Sequence, residues 1–560
     1  MMRKVISLMF LLAVFTSCEE KSYEEYATTE NSESDYPIIP KPAFMEIANG
    51  RFFVDENTRI FASEELRQEA DFLSDMLRNG SGEEISIEKN SEENQRGIYL
   101  SLDDDAKNDE YYYLRVEYDK IEISAKTAKG IFYGIQSLRQ LMPAEVEDSS
   151  VAELAIPAVR IQDEPRYAYR GMMLDVSRHF FPVEFVKKFI DLIALHKMNT
   201  FHWHLTNDHG WRIEIMKYPK LTEIGSVRKE TVLEKNLDPY IGDGEEHGGF
   251  YTQEEVKEIV RYAEKRHIMV IPEIGMPGHS TAALAAYPEL GNDTGPYEVS
   301  TAWGIKDQIL APKEETFQFL ENVLTEVMEL FPSKYIHIGG DEVPKKEWEE
   351  STQAQAVIKR EGLEDEDELQ SYFIQRIEKF LNDNGRHLIG FDEILEGGLA
   401  PNATVMSWRG IQGGIAAAKQ GNDVIMTPNS HLYFDYYQAD PQDEPLAIWG
   451  DISVEKVYSY DPTPKELSQE EAQHVIGAQG NLWTEYISTP QYAEYMILPR
   501  MSALAEVVWT PKDKKDWDDF KRRVFILKKR YDALELQYAN HIFENPGSLE
   551  PLVGKEKKMK

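Results

Sequence analysis

The chain has 560 residues, 42% of them apolar, which is enough for a large core and for more than one domain. Its formal net charge of −38 at pH 7 argues against a protein that binds nucleic acid or an anionic membrane surface, because like charges repel. A neutral ligand, such as a sugar, carries no such penalty.

The N-terminus predicts an export signal. A short basic segment, residues 1–4, precedes an apolar run, residues 5–15, that is too short to span a bilayer. Cys18, the single cysteine of the chain, follows closely. This order resembles a bacterial lipoprotein signal peptide (residues 1–17), with cleavage before Cys18 and lipidation of its sulfur; an ordinary secretory signal with an incidental cysteine is the alternative. Either way, no cysteine is left for a disulfide or a zinc–thiolate site.

The segment after Cys18, residues 18–36, is acidic and poor in apolar residues, which predicts a disordered tether. Acidic residues directly after a lipidated cysteine resemble the surface-export tethers of Bacteroides-type bacteria. We therefore expect an exported lipoprotein that its lipid holds in the outer membrane, on either the surface or the periplasmic face.

Residues 37–162 mix short strands with helices and predict a small α+β domain. Apolar residues alternate through residues 113–124 in the manner of a strand, and residues 130–141 carry an apolar stripe at helical spacing. No cluster of catalytic residue types stands out in this part of the sequence.

Residues 163–512 repeat one theme: an apolar strand, polar residues at its carboxyl end, and then an amphipathic helix. The predicted strands lie at residues 170–176, 198–205, 268–274, 335–338, 387–391, 404–407, 423–426 and 475–479. Such units predict an α/β protein with a (β/α)₈ TIM barrel rather than a doubly wound sheet, since the first strand has no glycine-rich phosphate loop after it. Residues 513–560 predict a further helix and a polar tail.

The active site of such a barrel lies at the carboxyl ends of its strands. There, residues 336–342 (IHIGGDE) form a strand that ends in two glycines and two adjacent acids. Two acids in one site do not easily both ionise, so their pKa values should separate into an acid role and an anion role, as glycoside hydrolysis needs. The alternative is that Asp341 and Glu342 only cap the next helix. Polar and aromatic residues also follow the other strands, which favours a sugar site.

Four ordered segments resemble motifs of the family 20 glycoside hydrolases, the β-N-acetylhexosaminidases: residues 170–178 (RGMMLDVSR), 202–208 (HWHLTND), 337–342 (HIGGDE) and 480–485 (GNLWTE). The similarity covers about residues 37–540, including the N-terminal domain. It implies an exo-acting, retaining enzyme that removes terminal β-linked N-acetylglucosamine or N-acetylgalactosamine from glycans without a cofactor. The nucleophile would be the 2-acetamido oxygen of the sugar itself, which forms an oxazolinium intermediate.

The resemblance also implies a role for each site residue. Glu342 would be the general acid and then the base for water, while Asp341 would orient the acetamido group and stabilise its positive nitrogen. Asp208 and His279 would tune the acid. The remaining substrate-binding residues would be Arg178, Trp408, Tyr433, Asp435, Trp483 and Glu485. Structural alternatives are an ion pair with Asp175 for Arg178, core packing for the tryptophans, and loop solvation for the other three.

Several alternatives stay open. The family usually has a third pocket Trp after strand five, where this chain has residues 390–393 (GFDE), so either Phe391 replaces it or the motif is shifted. His202 and His204 share one strand face at metal-ligand spacing, which leaves a metal-dependent amidohydrolase open, although we otherwise expect no metal. The other two alternatives are a disaccharide-releasing variant of the lacto-N-biosidase type and a non-catalytic glycan-binding lipoprotein. We expect the insertion at residues 223–249 and the loop at residues 437–460 to lie on the aglycone side.

Overall fold

The structure is a computed structural model that describes residues 23–89, 95–149, 151, 153–293 and 295–544. Within these residues a smaller α+β domain precedes a closed eight-stranded barrel. The predicted signal segment, the predicted lipidation site Cys18 and the predicted polar tail lie outside the described residues. In the described segments, no helix combines the length and the apolar character that crossing a membrane requires.

The N-terminal domain is a mixed sheet of seven strands in the described part of the chain. Its strands are β1 (Phe44–Phe53), β2 (Arg59–Phe61), β3 (Ser86–Glu88), β4 (Gly97–Leu102), β5 (Tyr112–Val116), β6 (Lys120–Ala125) and β7 (Ala155–Asp163). They pair in the order β1-β7-β5-β6-β4-β2-β3. The alternation predicted at residues 113–124 is divided between β5 and β6, which pair antiparallel, because a tight turn joins Glu117 to Lys120 (N to O 2.8 Å).

Three helices accompany this sheet: α1 (Tyr23–Ala27), α2 (Arg67–Ser81) and α3 (Ala128–Leu141). Helix α3 confirms the helix predicted at residues 130–141, and it is buried on nearly all sides between the sheet and the barrel. Its Tyr133 packs edge-on against Trp509 of the barrel, with ring centroids 5.1 Å apart. The small domain is therefore fixed to the barrel through an apolar helix.

Part of the segment predicted as a disordered tether is folded. Tyr26 of α1 is 4% exposed and stacks on Phe53, with ring centroids 4.9 Å apart. The side-chain amide of Asn31 donates to the carbonyl oxygens of Ala48 and Gly50, both at 2.8 Å. The acidic composition of this segment concealed an aromatic anchor, whose burial offsets the entropy of ordering the residues around it.

The second domain is a closed, all-parallel barrel, and each of its eight predicted strands is present. The strands are β8 (Tyr169–Asp175), β9 (Thr200–His204), β10 (Met269–Met276), β11 (Tyr335–Gly339), β12 (His387–Phe391), β13 (Thr404–Ser407), β14 (Val424–Met426) and β15 (Val475–Leu482). They are buried almost throughout, which is why they read as near-continuous apolar runs in the sequence.

Helices and short hairpins connect the barrel strands, and the last four helices follow the final strand. The helices are α4 (Val183–Leu195), α5 (Lys220–Glu223), α6 (Gln253–Glu264), α7 (Thr281–Ala286), α8 (Glu314–Leu330), α9 (Lys346–Glu350), α10 (Thr352–Glu361), α11 (Glu366–Asp383), α12 (Gln412–Gln420), α13 (Val454–Ser459), α14 (Pro490–Ile497), α15 (Arg500–Trp509), α16 (Trp517–Ala533) and α17 (His541–Glu544). The hairpins pair Thr206–Asn207 with Gly210–Trp211, Val227–Arg228 with His247–Gly248, and Val232–Leu237 with Tyr240–Gly242. The helix predicted after residue 513 corresponds to α16.

A buried polar network joins the two domains. Lys197, at the end of α4, contacts Asp163 at the end of β7 with an Nζ–Oδ2 distance of 3.0 Å, and both side chains are fully buried. The same Asp163 oxygen accepts a hydrogen bond from the indole N–H of Trp509 at 2.9 Å and one from Tyr112 at 2.7 Å. A charge buried this deeply is stable only with its partner in place, so this network fixes the relative position of the domains.

Candidate active site

A cavity of about 560 Å³ opens at the carboxyl ends of the barrel strands. Nine of the ten predicted site residues line it: Arg178, His279, Asp341, Glu342, Trp408, Tyr433, Asp435, Trp483 and Glu485. The tenth, Asp208, is fully buried behind His279 and does not reach the cavity. The residues that were predicted from the sequence therefore form one site, and Asp208 contacts this site through His279.

The two adjacent acids reach the cavity together because the chain turns sharply after β11. Gly339 and Gly340 have φ of +70° and +84°, and Glu342 has φ of +47°, all in the left-handed region. Asp341 lies between them. A Cβ at Gly340 would come within 2.7 Å of the Ile394 side chain, so this position also needs a glycine for space. The turn ends the strand alternation that would otherwise send neighbouring side chains to opposite faces. A non-glycine residue in this region, as at Glu342, is a feature that clusters at functional sites.

Glu342 belongs to a chain of three groups. Its Oε2 lies 3.2 Å from Nε2 of His279, and Nδ1 of His279 lies 2.7 Å from Oδ2 of Asp208. Asp208 also accepts hydrogen bonds from the backbone N–H and the hydroxyl of Thr281, at 3.1 and 2.9 Å. The imidazole is thus held between a fixed anion and the carboxyl group that faces the cavity.

The charges of these three groups favour a protonated His279 beside an ionised Glu342. Burial alone would lower the pKa of His279, but the carboxylate of Asp208 outweighs it and holds that pKa well above its ordinary value. Burial would raise the pKa of Glu342, but the contact with His279 lowers it overall. In the free site the proton therefore rests on His279, one short contact away from Glu342.

Asp341 has a different environment. Its Oδ2 lies 3.8 Å from Nε2 of His279. Burial raises the pKa of Asp341 to about 6, with further increases from the negative charges of Glu273 and Glu342 and a decrease from His279. The pKa values of the two acids are thus shifted in opposite directions. The raised pKa belongs to Asp341, the expected anion, and the lowered one to Glu342, the expected acid, which is the reverse of the separation that these two roles imply.

Three residues that line the cavity each have one buried polar atom without a hydrogen-bond partner in the described protein. These atoms are Nε of Arg178, Oδ1 of Asp435 and Oε2 of Glu485, and they lie beneath the cavity surface. Burial raises the pKa of Asp435 well above its ordinary range, and Glu485 adds to this through its negative charge. The cavity is thus lined by a guanidinium and two carboxyl groups, which suit sugar hydroxyls because a hydroxyl both donates and accepts.

Arg178 makes the ion pair that was its structural alternative and also lines the cavity. Its NH1 lies 3.3 Å from Oδ2 of Asp175, while its NH2 lies 3.9 Å from Oε1 of Glu485. The guanidinium group is also 4.9 Å from the ring centre of Trp483. Asp175 therefore orients Arg178 rather than removing it from the site.

Aromatic rings form one side of the cavity. Trp408 stacks on Tyr433 with ring centroids 5.9 Å apart and planes 18° apart, and Tyr433 lies 6.3 Å from Trp483. Phe391, at the end of β12, lines the cavity and lies 6.0 Å from Trp483. The strand-five position is thus an aromatic residue of this wall, a Phe in place of the expected Trp.

The outer part of the cavity was only partly foreseen from the sequence. Lys235 and Leu237, from the insertion at residues 223–249, line it together with Ile448 and Trp449 from the loop at residues 437–460. Nζ of Lys235 donates to the carbonyl oxygen of Ile448 at 2.7 Å, so the two loops are joined. The indole of Trp449 is 62% exposed. The loop positions agree with the expected aglycone side, but the particular residues had no periodic signal that could identify them.

The histidines at metal-ligand spacing instead contact a buried carboxylate. Nε2 of His202 and Nδ1 of His204 lie 2.8 and 2.7 Å from Oε2 of Glu273. Their other ring nitrogens face the amide nitrogens of Gln479 at 3.0 Å and Asn207 at 3.1 Å, which are donors. The nitrogens that face Glu273 therefore carry the protons, and neither offers a lone pair for a metal.

Spacing gives a second reason against a metal at this position. His202, Glu273 and His337 bring their ligand atoms within 4.8 Å of one another. Two nitrogen or oxygen ligands of a tetrahedral zinc ion, each about 2.0–2.1 Å from it, would lie about 3.3 Å apart. The contact of His202 with Glu273 is shorter, at 2.8 Å, whereas Nδ1 of His337 lies 3.6 Å from Oε1 of Glu273 and already accepts from the backbone N–H of Gly339 at 3.1 Å. These contacts favour a carboxylate packed against imidazoles over a metal centre.

Comparison with known proteins agrees with this geometry. Residues 167–512 match the catalytic domain of glycosyl hydrolase family 20, and residues 35–164 match domain 2 of the same family. The chain belongs to glycosyl hydrolase family 20. The family resemblance proposed from the sequence motifs is thereby confirmed.

Relatives in this family include a β-hexosaminidase of Porphyromonas gingivalis, 47% identical over 97% of this chain and 68% of the relative. A β-hexosaminidase of Vibrio furnissii is 36% identical over 84% of this chain and 76% of the relative. A solved structure of a mutant Streptomyces plicatus β-hexosaminidase, in complex with its product GlcNAc, is 32% identical and has a TM-score of 0.79. The alignment covers 92% of this chain and 98% of the Streptomyces plicatus chain.

Proposed function

We propose that this family 20 enzyme is an exo-acting, retaining β-N-acetylhexosaminidase that cleaves terminal β-linked N-acetylglucosamine or N-acetylgalactosamine. The observation that carries the proposal is the pair Asp341 and Glu342, brought into one cavity by a left-handed turn and separated in charge by His279. The β-hexosaminidase names of the relatives support the same substrate class.

The proposed mechanism uses the substrate as its own nucleophile. The 2-acetamido oxygen attacks the anomeric carbon, the glycosidic C–O bond breaks, and Glu342 gives its proton to the leaving oxygen. Asp341, as an anion, orients the acetamido N–H and stabilises the positive charge that develops on the oxazolinium ring. Water then opens the ring with Glu342 as base, so the configuration is retained. A positioned intramolecular nucleophile of this kind contributes up to roughly 7–11 kcal/mol.

The proton for the leaving group comes from the chain Asp208–His279–Glu342. In the free site the proton rests on His279, and a bound sugar excludes the water that stabilises the Glu342 carboxylate. Desolvation favours the neutral acid, so the proton moves across the 3.2 Å contact to Glu342 when substrate fills the cavity. In this mechanism, substrate binding therefore protonates Glu342.

The test compares two small substrates. The protein should hydrolyse 4-nitrophenyl β-N-acetylglucosaminide at least about a thousandfold faster than the corresponding β-glucoside, because the glucoside has no acetamido nucleophile. NMR should show the β-anomer of the released sugar first. Equal rates on the two substrates, or release of the α-anomer, would refute substrate assistance.

Two rival functions give different outcomes in the same assay. A disaccharide-releasing variant would leave single N-acetylglucosamine residues uncleaved and release disaccharides from longer glycans. A glycan-binding lipoprotein without catalysis would show no turnover, and Glu342→Gln would change nothing. The cavity favours an enzyme over a binding protein, since a binding protein has no use for a carboxyl group in contact with a buried His279–Asp208 pair.

We further propose that the protein is an exported lipoprotein of the outer membrane, anchored through Cys18. The proposal rests on the order of the basic segment, the apolar run and the single cysteine at the N-terminus. Metabolic labelling with a radioactive fatty acid should mark the wild-type protein and not Cys18→Ser. Labelling of both proteins, or of neither, would contradict it.

A further inference from the structure

A further carboxylic acid, Glu393, lies behind the aromatic wall and was not identified from the sequence. It belongs to a 3₁₀ turn, Asp392–Leu395, that directly follows β12, and its side chain is buried. Ile394 of the same turn packs beside the Gly340 position. This contact sets the 3₁₀ turn directly against the turn that carries Asp341.

Glu393 holds the indole of Trp408. Its Oε2 accepts a hydrogen bond from Nε1 of Trp408 at 2.9 Å. Among the described residues, this carboxyl oxygen is the hydrogen-bond acceptor of the indole N–H. Trp408 is only half-buried, because one face borders the cavity and the other stacks on Tyr433. A ring held mainly by stacking can slide along its neighbour, whereas a directed hydrogen bond at its inner edge fixes its tilt.

The charged groups around Glu393 come from three turns. Asp341 lies on the turn after β11, Asp392 is its chain neighbour, and Arg409 follows β13. Nε of Arg409 lies 2.7 Å from Oδ1 of Asp392 but 3.7 Å from Oε1 of Glu393, so the arginine is committed mainly to Asp392. Burial raises the pKa of Glu393 to about 8, with Asp341 and Asp392 adding to the increase.

The hydrogen bond does not depend on the charge of Glu393. A neutral carboxyl group still offers a carbonyl oxygen to the indole N–H, and so does a carboxamide. A neutral Glu393 also avoids adding a further buried negative charge to those of Glu273 and Glu342 near Asp341, whose ionised form the proposed mechanism needs. A carboxyl group that accepts this hydrogen bond while uncharged thus suits the position of Glu393.

We propose that Glu393 is a positioning residue that fixes Trp408, a wall residue of the cavity, through this buried hydrogen bond. The proposal rests on the proposed hexosaminidase function, because the wall matters through the sugar that the cavity binds. Glu393 touches no reacting atom; it acts through the tilt of Trp408. Since the nucleophile is the acetamido group, a wall that tilts misaligns the attack as well as binding.

The experiment compares three full-length variants with the wild type on 4-nitrophenyl β-N-acetylglucosaminide. Glu393→Ala should lower kcat/KM at least tenfold, with a rise in KM, because the indole N–H loses its acceptor. Glu393→Gln should restore KM to within about threefold of the wild type. Glu396→Gln, which removes an exposed partner of Arg409 from the same segment, is the matched control and should leave both constants unchanged. Thermal melting checks that every variant is folded.

A double-mutant cycle shows whether the effect passes through the indole. In a Trp408→Phe background, which lacks the N–H, Glu393→Ala should add less than a twofold change. An Ala effect that persists at tenfold in that background overturns the proposal. So does a folded Glu393→Gln that is as impaired as Glu393→Ala, or a Glu393→Ala with wild-type constants.

A spectroscopic measurement tests the contact without any substrate. The intrinsic fluorescence of the wild type should show a step with a midpoint near pH 8, as Glu393 ionises beside Trp408. Glu393→Gln and Trp408→Phe should each lack this step, and an unchanged step in both would overturn the contact. If the wild type does not cleave hexosaminides, the proposed function fails while this measurement still decides the Glu393–Trp408 contact.

Discussion

The substitution Asp341→Asn tests the division of labour between the two acids most directly. It keeps the size and one acceptor of the side chain but removes the negative charge. Asp341 is largely buried, so an effective dielectric constant of about 20 applies, and a unit charge about 4 Å from the developing cation is worth about 4 kcal/mol. The amide oxygen keeps part of this interaction as a neutral hydrogen bond. We therefore expect kcat to fall by roughly 10²–10³-fold, at about 1.4 kcal/mol per factor of ten.

The pH dependence gives a second readout of the same change. Asp341 must be ionised to act, and its raised pKa of about 6 means that the anion is lost as the pH falls through that value. The wild-type kcat/KM should therefore decline below about pH 6. Asp341→Asn has nothing to protonate at this position, so its residual activity should lack this acidic limb.

The assay is a pH profile of kcat and kcat/KM between pH 4 and 9 with 4-nitrophenyl β-N-acetylglucosaminide. Asp307→Asn is the matched control, since Asp307 is an exposed aspartate in the same domain. A near-normal rate in Asp341→Asn would show that Asp341 does not stabilise the cation. An acidic limb that stays in place would assign the limb to another group.

Three further predictions follow from other parts of the molecule. Asp208→Asn removes the anion that raises the pKa of His279, so the basic limb of kcat/KM should move to lower pH by at least about one unit in the same profile. Trp449→Ala should raise KM for a chitobiose-type disaccharide by roughly five- to tenfold. The KM for the methyl glycoside of the same sugar should not change, because this substrate is too short to contact Trp449. Lys197→Met leaves Asp163 buried without its cation, and chemical denaturation should show a loss of about 3–5 kcal/mol in the free energy of unfolding.

The barrel could be predicted from the sequence because its strands are buried on both faces. Such strands appear as apolar runs, and polar residues at their ends mark the mouth, so the strand of residues 475–479 was found although β15 continues to Leu482. The apolar pattern that marks the strands is weaker in the N-terminal domain. There one alternating segment proved to be two strands, because a turn of three polar or exposed residues (Glu117, Tyr118 and Asp119) does not interrupt the alternation of its neighbours.

The site was predictable where one residue type can do only a few kinds of chemistry, as at Asp341 and Glu342. Positions that act through another side chain were harder to predict. The family resemblance supplied Asp208, which lies behind His279. Glu393, which lies behind Trp408, was not identified, because only the three-dimensional contact distinguishes it from a solvated acid. The individual residues of the apolar outer wall were missed for a different reason, since exposed residues such as Trp449 lie on irregular loops that carry no period.

The acids around the cavity differ in role because each has a different neighbour. Glu342 shares a proton with His279 and therefore serves as the acid, whereas Asp341 is buried with negative charges nearby and ionises near neutral pH. Glu393 carries the highest pKa of the three, which spares Asp341 a second adjacent anion at pH 7. If this reasoning is right, replacing Glu393 by a permanently neutral Gln should leave the acidic limb of Asp341 in place, because Glu393 is already neutral where that limb occurs.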